Sequence, residues 1–348
     1  MLSRHRLVLF TASLLAAASA WVQPQPLKKV TIVYPNRSGS QWPLFIAKEG
    51  GYYQKHGLEV TLQFGVHPTG IAMLVSGEGQ MVNSSLEQLM QASTKDGSFT
   101  LIGSSLNRGT FALMARKDVT GVRDLKGKRV AVSQIGDAPY GYVVALLAKS
   151  GLTPRDVQWI PVGTDVSGRA AALEGGRADA TMLTAPAYFR LEDAGYKTLA
   201  NLAEQADIFA STGHLMRKSV MASDPRLAES LIEAQAEAIK RFYADKAFAV
   251  KAYMTYDRQP QADVERIYDL YAGPNLFERV PYVLAPAVKS VIDQQADPQI
   301  AAQMKAFDFR TVIDNRIVDR LVKDGFFERL FDAGIRAEQD RKSKLAFR

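Results

Sequence analysis

The sequence predicts an α/β protein of two lobes joined by a two-strand hinge. Three observations carry that expectation. From Lys28 to Met216, short β-branched strands alternate with amphipathic segments, the pattern of a sheet covered by helices. The 348-residue chain has no cysteine, so burial alone must hold it, and its length allows two cores of roughly 150 residues each. After Leu215-Met216 the pattern changes to long helices with few strands, which predicts a helical return onto the first lobe.

In chain order, a basic start (Arg4, His5, Arg6) runs into an apolar stretch over 7–18 and ends in Ala18-Ser19-Ala20, the pattern of a secretory signal peptide cleaved after Ala20. That apolar stretch is shorter than the roughly 20 residues needed to cross a hydrocarbon layer, and Gln23-Pro24-Gln25-Pro26 follows it in place of a stop-transfer sequence. With no cysteine at the cleavage site for lipid attachment, a freely soluble periplasmic protein is expected, not one embedded in a membrane.

The first lobe begins with strands at 30–34, 58–62, 80–82 and 100–102 and helices at 43–49, 70–76 and 85–93. The second follows Phe111-Ala112-Leu113-Met114-Ala115, with strands at 129–132, 157–160 and 180–183 and helices at 140–149, 168–174 and from Ala187. One long helix is expected over 225–254, with Asp224 as N-cap, Pro225 at the first helical position, and Leu227, Leu231, Ala234, Ala238 and Phe242 forming its apolar face. Another is expected over 262–271, and the basic tail, 336–348, reads as a solvated final helix. The chain thus crosses between lobes near 109–115 and again near 211–217, as domain closure about a hinge requires. The boundaries expected are 1–20 for the signal peptide, 21–112 with 213–348 for the first lobe, and 113–212 for the second.

Composition excludes several functions. The formal net charge of +7 falls to +5 without Arg4 and Arg6, and both signs are interspersed, unlike the basic stripe of a nucleic-acid binder. No P-loop, G-x-G-x-x-G, G-x-S-x-G, S-x-x-K or H-E-x-x-H is present. Beyond the signal segment only His56, His67 and His214 remain, none at i, i+3 or i, i+4 from another, so no local zinc pair exists. No catalytic residue, metal or cofactor is expected, and the chain is read as a binding protein, not an enzyme.

What is present is a set of polar turns, each after a strand and before a helix, where open α/β sheets bind ligands. In the first lobe they are Asn36-Arg37-Ser38-Gly39-Ser40-Gln41-Trp42, then Val66-His67-Pro68-Thr69-Gly70, then Asn83-Ser84-Ser85. The first offers Ser40, Gln41 and Trp42 beside a helix N-terminus that carries about half a positive charge. The second and third offer His67, Thr69, Asn83 and Ser85, with Ser84 and Glu87 fitting an S-x-x-E capping box. The second lobe answers with Gln134, Gly136, Asp137 and Tyr140, with Thr164 in Gly163-Thr164-Asp165, and with Tyr188 after Thr184-Ala185-Pro186. Three turns would face three turns. Asp137 or Asp165 in the crevice favours a cationic ligand, whereas Arg37 and Arg108 favour a carboxylate, sulfonate or phosphate, and the sequence leaves that sign open. Trp42, Phe111, Tyr140, Tyr142 and Tyr188 beside the turns favour an organic ligand over a bare inorganic anion.

Several further segments are distinctive in their order: Ile46-Ala47-Lys48-Glu49-Gly50-Gly51-Tyr52-Tyr53 with Gly57-Leu58-Glu59-Val60, Leu74-Val75-Ser76-Gly77-Glu78, Asp124-Leu125-Lys126-Gly127-Lys128-Arg129-Val130-Ala131-Val132, Gly151-Leu152-Thr153-Pro154-Arg155-Asp156-Val157, and Ala172-Leu173-Glu174-Gly175-Gly176-Arg177-Ala178-Asp179-Ala180. On these segments the chain resembles the periplasmic solute-binding proteins of ABC importers, of the nitrate/sulfonate/taurine type and the related NMT1/THI5-like type, over about 30–216. The resemblance implies a type II periplasmic-binding-protein fold with a ligand cleft between the lobes. It also implies a small-molecule solute (sulfonate, carboxylate or pyrimidine-like), a partner permease with its ATPase, and a monomer. It carries binding positions to Ser40, Gln41, Trp42, Gln134 and Gly136. Two departures stand out: Gly77-Glu78-Gly79-Gln80 replaces the usual "sGe-x-D", and Asp137 puts an acid at a helix start. Two other functions are open to the same fold: an extracytoplasmic sensor presenting its liganded form to a receptor, and a pyrimidine-synthase-like enzyme, which would require the reactive cysteine or histidine groups that are scarce here.

Overall fold

A computed structural model describes residues 26–65, 67–163, 166–205, 212–295 and 297–348. The expected signal peptide, Thr164 and Asp165 lie outside the described residues. Ten strands form two sheets: β1 (Lys28–Tyr34), β2 (Leu58–Phe64), β3 (Met81–Ser85), β4 (Phe99–Leu106), β5 (Phe111–Ala115), β6 (Arg129–Val132), β7 (Gln158–Pro161), β8 (Ala180–Thr184), β9 (Lys197–Asn201) and β10 (Thr212–Arg217). The strand orders are β2-β1-β3-β10-β4 and β7-β6-β8-β5-β9.

The two sheets share one plan. In each, three parallel strands are arranged second, first, third, and an antiparallel strand pairs with the third. That antiparallel strand arrives directly after a crossing: β5 enters the second sheet and β10 re-enters the first. Strand order reverses direction at β1/β3 in one sheet and at β6/β8 in the other, so the turns after these four strands stand where α/β sheets bind ligands. The segments predicted as hinge crossings, 109–115 and 211–217, are thus largely sheet strands, and the described link from β4 to β5 is 107–110.

Helices follow the strands as the periodicity predicts, with corrections at the end of β3, over 224–254 and in the tail. β3 runs to Ser85, so Asn83 and Ser84 are strand residues and not a turn; β10 pairs with them as Asn83↔His214 and Ser84↔Gly213, which extends the strand past its apolar residues. The single helix expected over 225–254 is two, Leu227–Ala244 and Lys246–Tyr256. Asp245 leaves helical geometry and accepts the Phe248 N–H at 2.9 Å, so a cap replaces helix continuation. Asp224 is not the cap of the first: its carboxyl accepts the Arg226 N–H at 3.1 Å and pairs with Lys28 at 2.5 Å, and the helix starts at Leu227. The basic tail forms the helix Arg336–Leu345, but Lys342 is buried against Glu338 at 2.6 Å and against Glu278, so one side of it is not solvated.

Leu227, Leu231, Ala234, Ala238 and Phe242 are all buried, as their spacing predicts, and this helix packs on Trp42–Glu49. Trp42 is the keystone of that contact. Its indole packs among Phe242, Tyr253, Tyr268 and Tyr271 with centroids 4.8–6.1 Å apart, and its N–H donates to the Ala249 carbonyl at 2.7 Å. The later chain also closes on the first sheet through bridges Leu101↔Ile313 and Leu106↔Phe277.

Candidate functional site

The turn after β1 is built by close approach and by its own polar groups. A Cβ at Gly39 would stand 2.4 Å from the Tyr271 ring, so only glycine lets this turn lie against it. Tyr271 in turn bonds Thr110, on the link to the second sheet, at 2.8 Å, tying the turn to the crossing. Ser38 bonds both Asn36, at 2.7 Å, and Ser40, at 2.8 Å. The buried Gln41 amide donates to the Ser40 hydroxyl at 3.2 Å and accepts from Asn83 Nδ2 at 2.5 Å. The turn after β1 and the end of β3 are therefore one polar surface. Asn83 Oδ1 is buried and has no hydrogen-bond partner.

Across from it, the turn after β6 has Gly136 at φ +86, a left-handed position that glycine adopts without strain. Asp137 caps the helix Ala138–Lys149, accepting from the Tyr140 N–H at 2.8 Å and from the Gln134 N–H at 3.3 Å. Behind the turn, the buried Arg169 guanidinium donates to Ser133 Oγ at 2.6 Å and to the Met182 carbonyl at 3.0 Å, joining the ends of β6 and β8. Gln134 and Ile135 at the tip are exposed.

The two surfaces meet at Glu87. The S-x-x-E pattern predicts that Glu87 caps its own helix, but the helix is Leu86–Lys95, its cap position falls on Ser85, and no side-chain cap bond forms. Glu87 Oε1 instead accepts from the Tyr142 hydroxyl of the facing lobe at 2.7 Å, while Oε2 is buried without a hydrogen-bond partner. Burial raises the Glu87 carboxyl above its ordinary range; the Tyr142 hydroxyl, the Glu87 amide and nearby Ser85 counter that rise, and Asp137 adds to it. Burial, then the Glu87 charge, push Tyr142 well up.

The predicted residues divide accordingly. Ser40, Gln41, Asn83 and Ser85 lie along the first surface, and Gln134, Gly136 and Asp137 along the second. Trp42 is corrected to a core residue, since it is fully buried with its N–H already used. Asp137 spends its carboxyl on capping. Tyr140 packs on Trp159 at 4.3 Å, away from solvent. Arg108 is half-buried and donates to the Pro274 carbonyl at 2.9 Å. Tyr188 is buried against Phe189 at 4.6 Å, with a hydroxyl that has no partner. Thr69 is exposed on the helix His67–Ser76, which His67 opens. Glu87 and Arg169 were not predicted: a capping pattern hid the first, and the second has no local motif to mark it. Among the described residues, no group of three His, Asp or Glu side chains could hold a metal, and no helix is long and apolar enough to cross a membrane.

The family model described as NMT1/THI5 like matches residues 40–249. The 4-amino-5-hydroxymethyl-2-methylpyrimidine phosphate synthase of Schizosaccharomyces pombe is 29% identical over 128 residues, 36% of either chain, so the likeness spans about a third of that relative's length. Among solved structures, the alkanesulfonate-binding protein SsuA of Xanthomonas axonopodis pv. citri, bound to MOPS, matches with TM-score 0.65 and 19% identity, covering 84% of this chain and 100% of that one. The periplasmic nitrate-binding protein NrtA of Synechocystis PCC 6803 matches with TM-score 0.66 and 14% identity, covering 90% and 91%. At these identities the likeness establishes the fold, that of the periplasmic binding proteins.

Proposed function

The chain belongs to the NMT1/THI5-like family, and from that premise we propose that it is the extracytoplasmic solute-binding component of an ABC importer, closing its two lobes around a small organic solute. The observation that carries this reading is the hydrogen bond from Tyr142 to Glu87, which crosses between two sheets of the same plan at their ligand-binding ends. The lobes would be 21–112 with 213–348, and 113–212, hinged where the chain crosses twice. Export by the N-terminal segment, delivery to a permease with its ATPase, and a monomeric state belong to the same proposal.

Ser40, Gln41, Asn83 and Ser85 from one side, with Gln134 and Gly136 from the other, would complete the solute's polar shell. No bond is made or broken in this scheme. A second reading, pyrimidine synthesis, is favoured by the partial identity with the fission-yeast synthase. Against it, the chain has no cysteine, His56 is engaged by two glutamates, and burial drops His214 to about 4, leaving it a weak base.

The test is thermal unfolding of the purified protein against sulfonates, carboxylates, pyrimidines and amines. A solute at 100 times its dissociation constant stabilises the folded state by about 2.7 kcal/mol, a plain midpoint shift. The expected result is one solute class that shifts the midpoint, an effect weakened by Ser40→Ala or Gln134→Ala, with the solute recovered chemically unchanged. Conversion of the solute to product would instead favour the synthase reading.

A further inference from the structure

We infer that Glu87 determines the specificity of this crevice, and that its solute carries a group rich in N–H, a primary amine or an amidine, in preference to an oxyanion. The inference rests on the solute-binding reading above and adds the chemistry of the solute.

Glu87 is only 6% exposed. It stands in the first turn of the helix that follows β3, at the strand end where the two lobes meet. One carboxyl oxygen is held by Tyr142 from the opposite lobe, and the other is buried with no partner. A buried acceptor left unpaired is unfavourable, and with Glu87 ionised the ligand group that relieves it must donate; a cationic group placed there also favours that ionised form. Four residues earlier, Asn83 Oδ1 is a second buried acceptor without a partner, its amide N–H already given to Gln41. Both open positions are acceptors.

Charge points the same way. The acidic neighbour acting on Glu87 is Asp137, from the turn across the crevice. Among the described residues no lysine or arginine hydrogen-bonds either carboxyl: Glu87 has Tyr142, and Asp137 has the two backbone amides it caps. Arg169, the buried cation behind the second turn, donates to Ser133 and to the Met182 carbonyl. An oxyanion beside Glu87 would require that carboxyl to be protonated and would still meet Asp137, whereas an ammonium or amidinium would be attracted by both acids and could donate to the open oxygen.

The test uses probes of one skeleton with different heads: benzylamine and benzamidine against benzoate and benzenesulfonate. Each is titrated at millimolar concentration into the purified protein, with thermal shift and calorimetry as readouts. The expected result is stabilisation by the nitrogen-headed pair, with affinity reduced about tenfold or more in Glu87→Gln, which loses the charge but keeps the shape. Glu87→Asp, which keeps the charge but withdraws it by one methylene, should fall between. Should neither variant fold, the wild-type ranking alone decides the head group. Binding of benzoate or benzenesulfonate alone would overturn the inference and leave the solute-binding reading standing. Nitrogen-headed binding unchanged in Glu87→Gln would remove Glu87 from the site. Binding of none of the four to a folded protein would count against both.

Discussion

His56 stands between two carboxylates of the helix Leu227–Ala244, with Glu233 at 3.2 Å from Nδ1 and Glu237 at 2.8 Å from Nε2. Burial opposes protonation of the imidazole, but the hydrogen bonds and charges of the two glutamates outweigh it and raise the His56 pKa above its ordinary value. A folded-state pKa above the unfolded one means that protonated His56 stabilises the fold fully below the unfolded pKa of about 6.5, and that this contribution is lost as pH rises through the folded value. Lys55 and Arg226 pair with the same glutamates and keep them partly neutralised at high pH. The stability difference between wild type and His56→Gln, measured by urea unfolding, should therefore be largest at about pH 6 and shrink toward about pH 9. A difference that does not vary with pH would show that His56 has the same pKa in the folded and unfolded states, contrary to the raised value expected here. None of this was legible in the sequence, because Glu233 and Glu237 are about 180 positions from His56 and no motif joins them. Glu87 was legible only in the wrong role: the S-x-x-E pattern is local, and a tyrosine from another lobe outcompeted it.

Elements were more legible than their ends. Alternating β-branched segments located β1, β2 and β6 because hydrophobic period and buried face coincide there. β3 was cut short because Asn83, Ser84 and Ser85 are polar, and only pairing with β10, more than a hundred residues on, makes them a strand. The break at Asp245 was hidden for a related reason: apolar spacing continues across it while the side chain caps the next helix. The turn glycines after β1 and β6 were visible, and the helix starts that follow were placed to within two residues, at 43 for Trp42 and at 140 for Ala138, since turn chemistry is local. Trp42 separates the two scales. Its position beside a polar turn suggested a ligand contact, yet it docks its helix into the core. Trp42→Ala should cost about 3–5 kcal/mol in denaturant unfolding, the range for emptying a buried aromatic site. Lost affinity with little loss of stability would return Trp42 to the crevice.

For the molecule as a whole, one plan used twice explains most of what the sequence could anticipate. Each sheet has its strand-order reversal at the same place, and the strand on which the chain enters the second sheet, β5, occupies the position that β10, on which it re-enters the first, has there. Two lobes were foreseeable from strand and helix alternation; the contacts between them were not, because pairs such as Tyr142 with Glu87 and Arg266 with Asp193 meet across 55 and 73 positions. On the reading proposed above, closure and recognition would be joined at Glu87: the carboxyl that receives the facing lobe's tyrosine would offer its second oxygen to the solute. The most direct test of this account is a crystal structure of the protein with its best-binding solute. The account predicts the solute enclosed between the sheets, in contact with the turn after β1, with the end of β3 and with the turn after β6. A solute seated on the outer face of either lobe would contradict it.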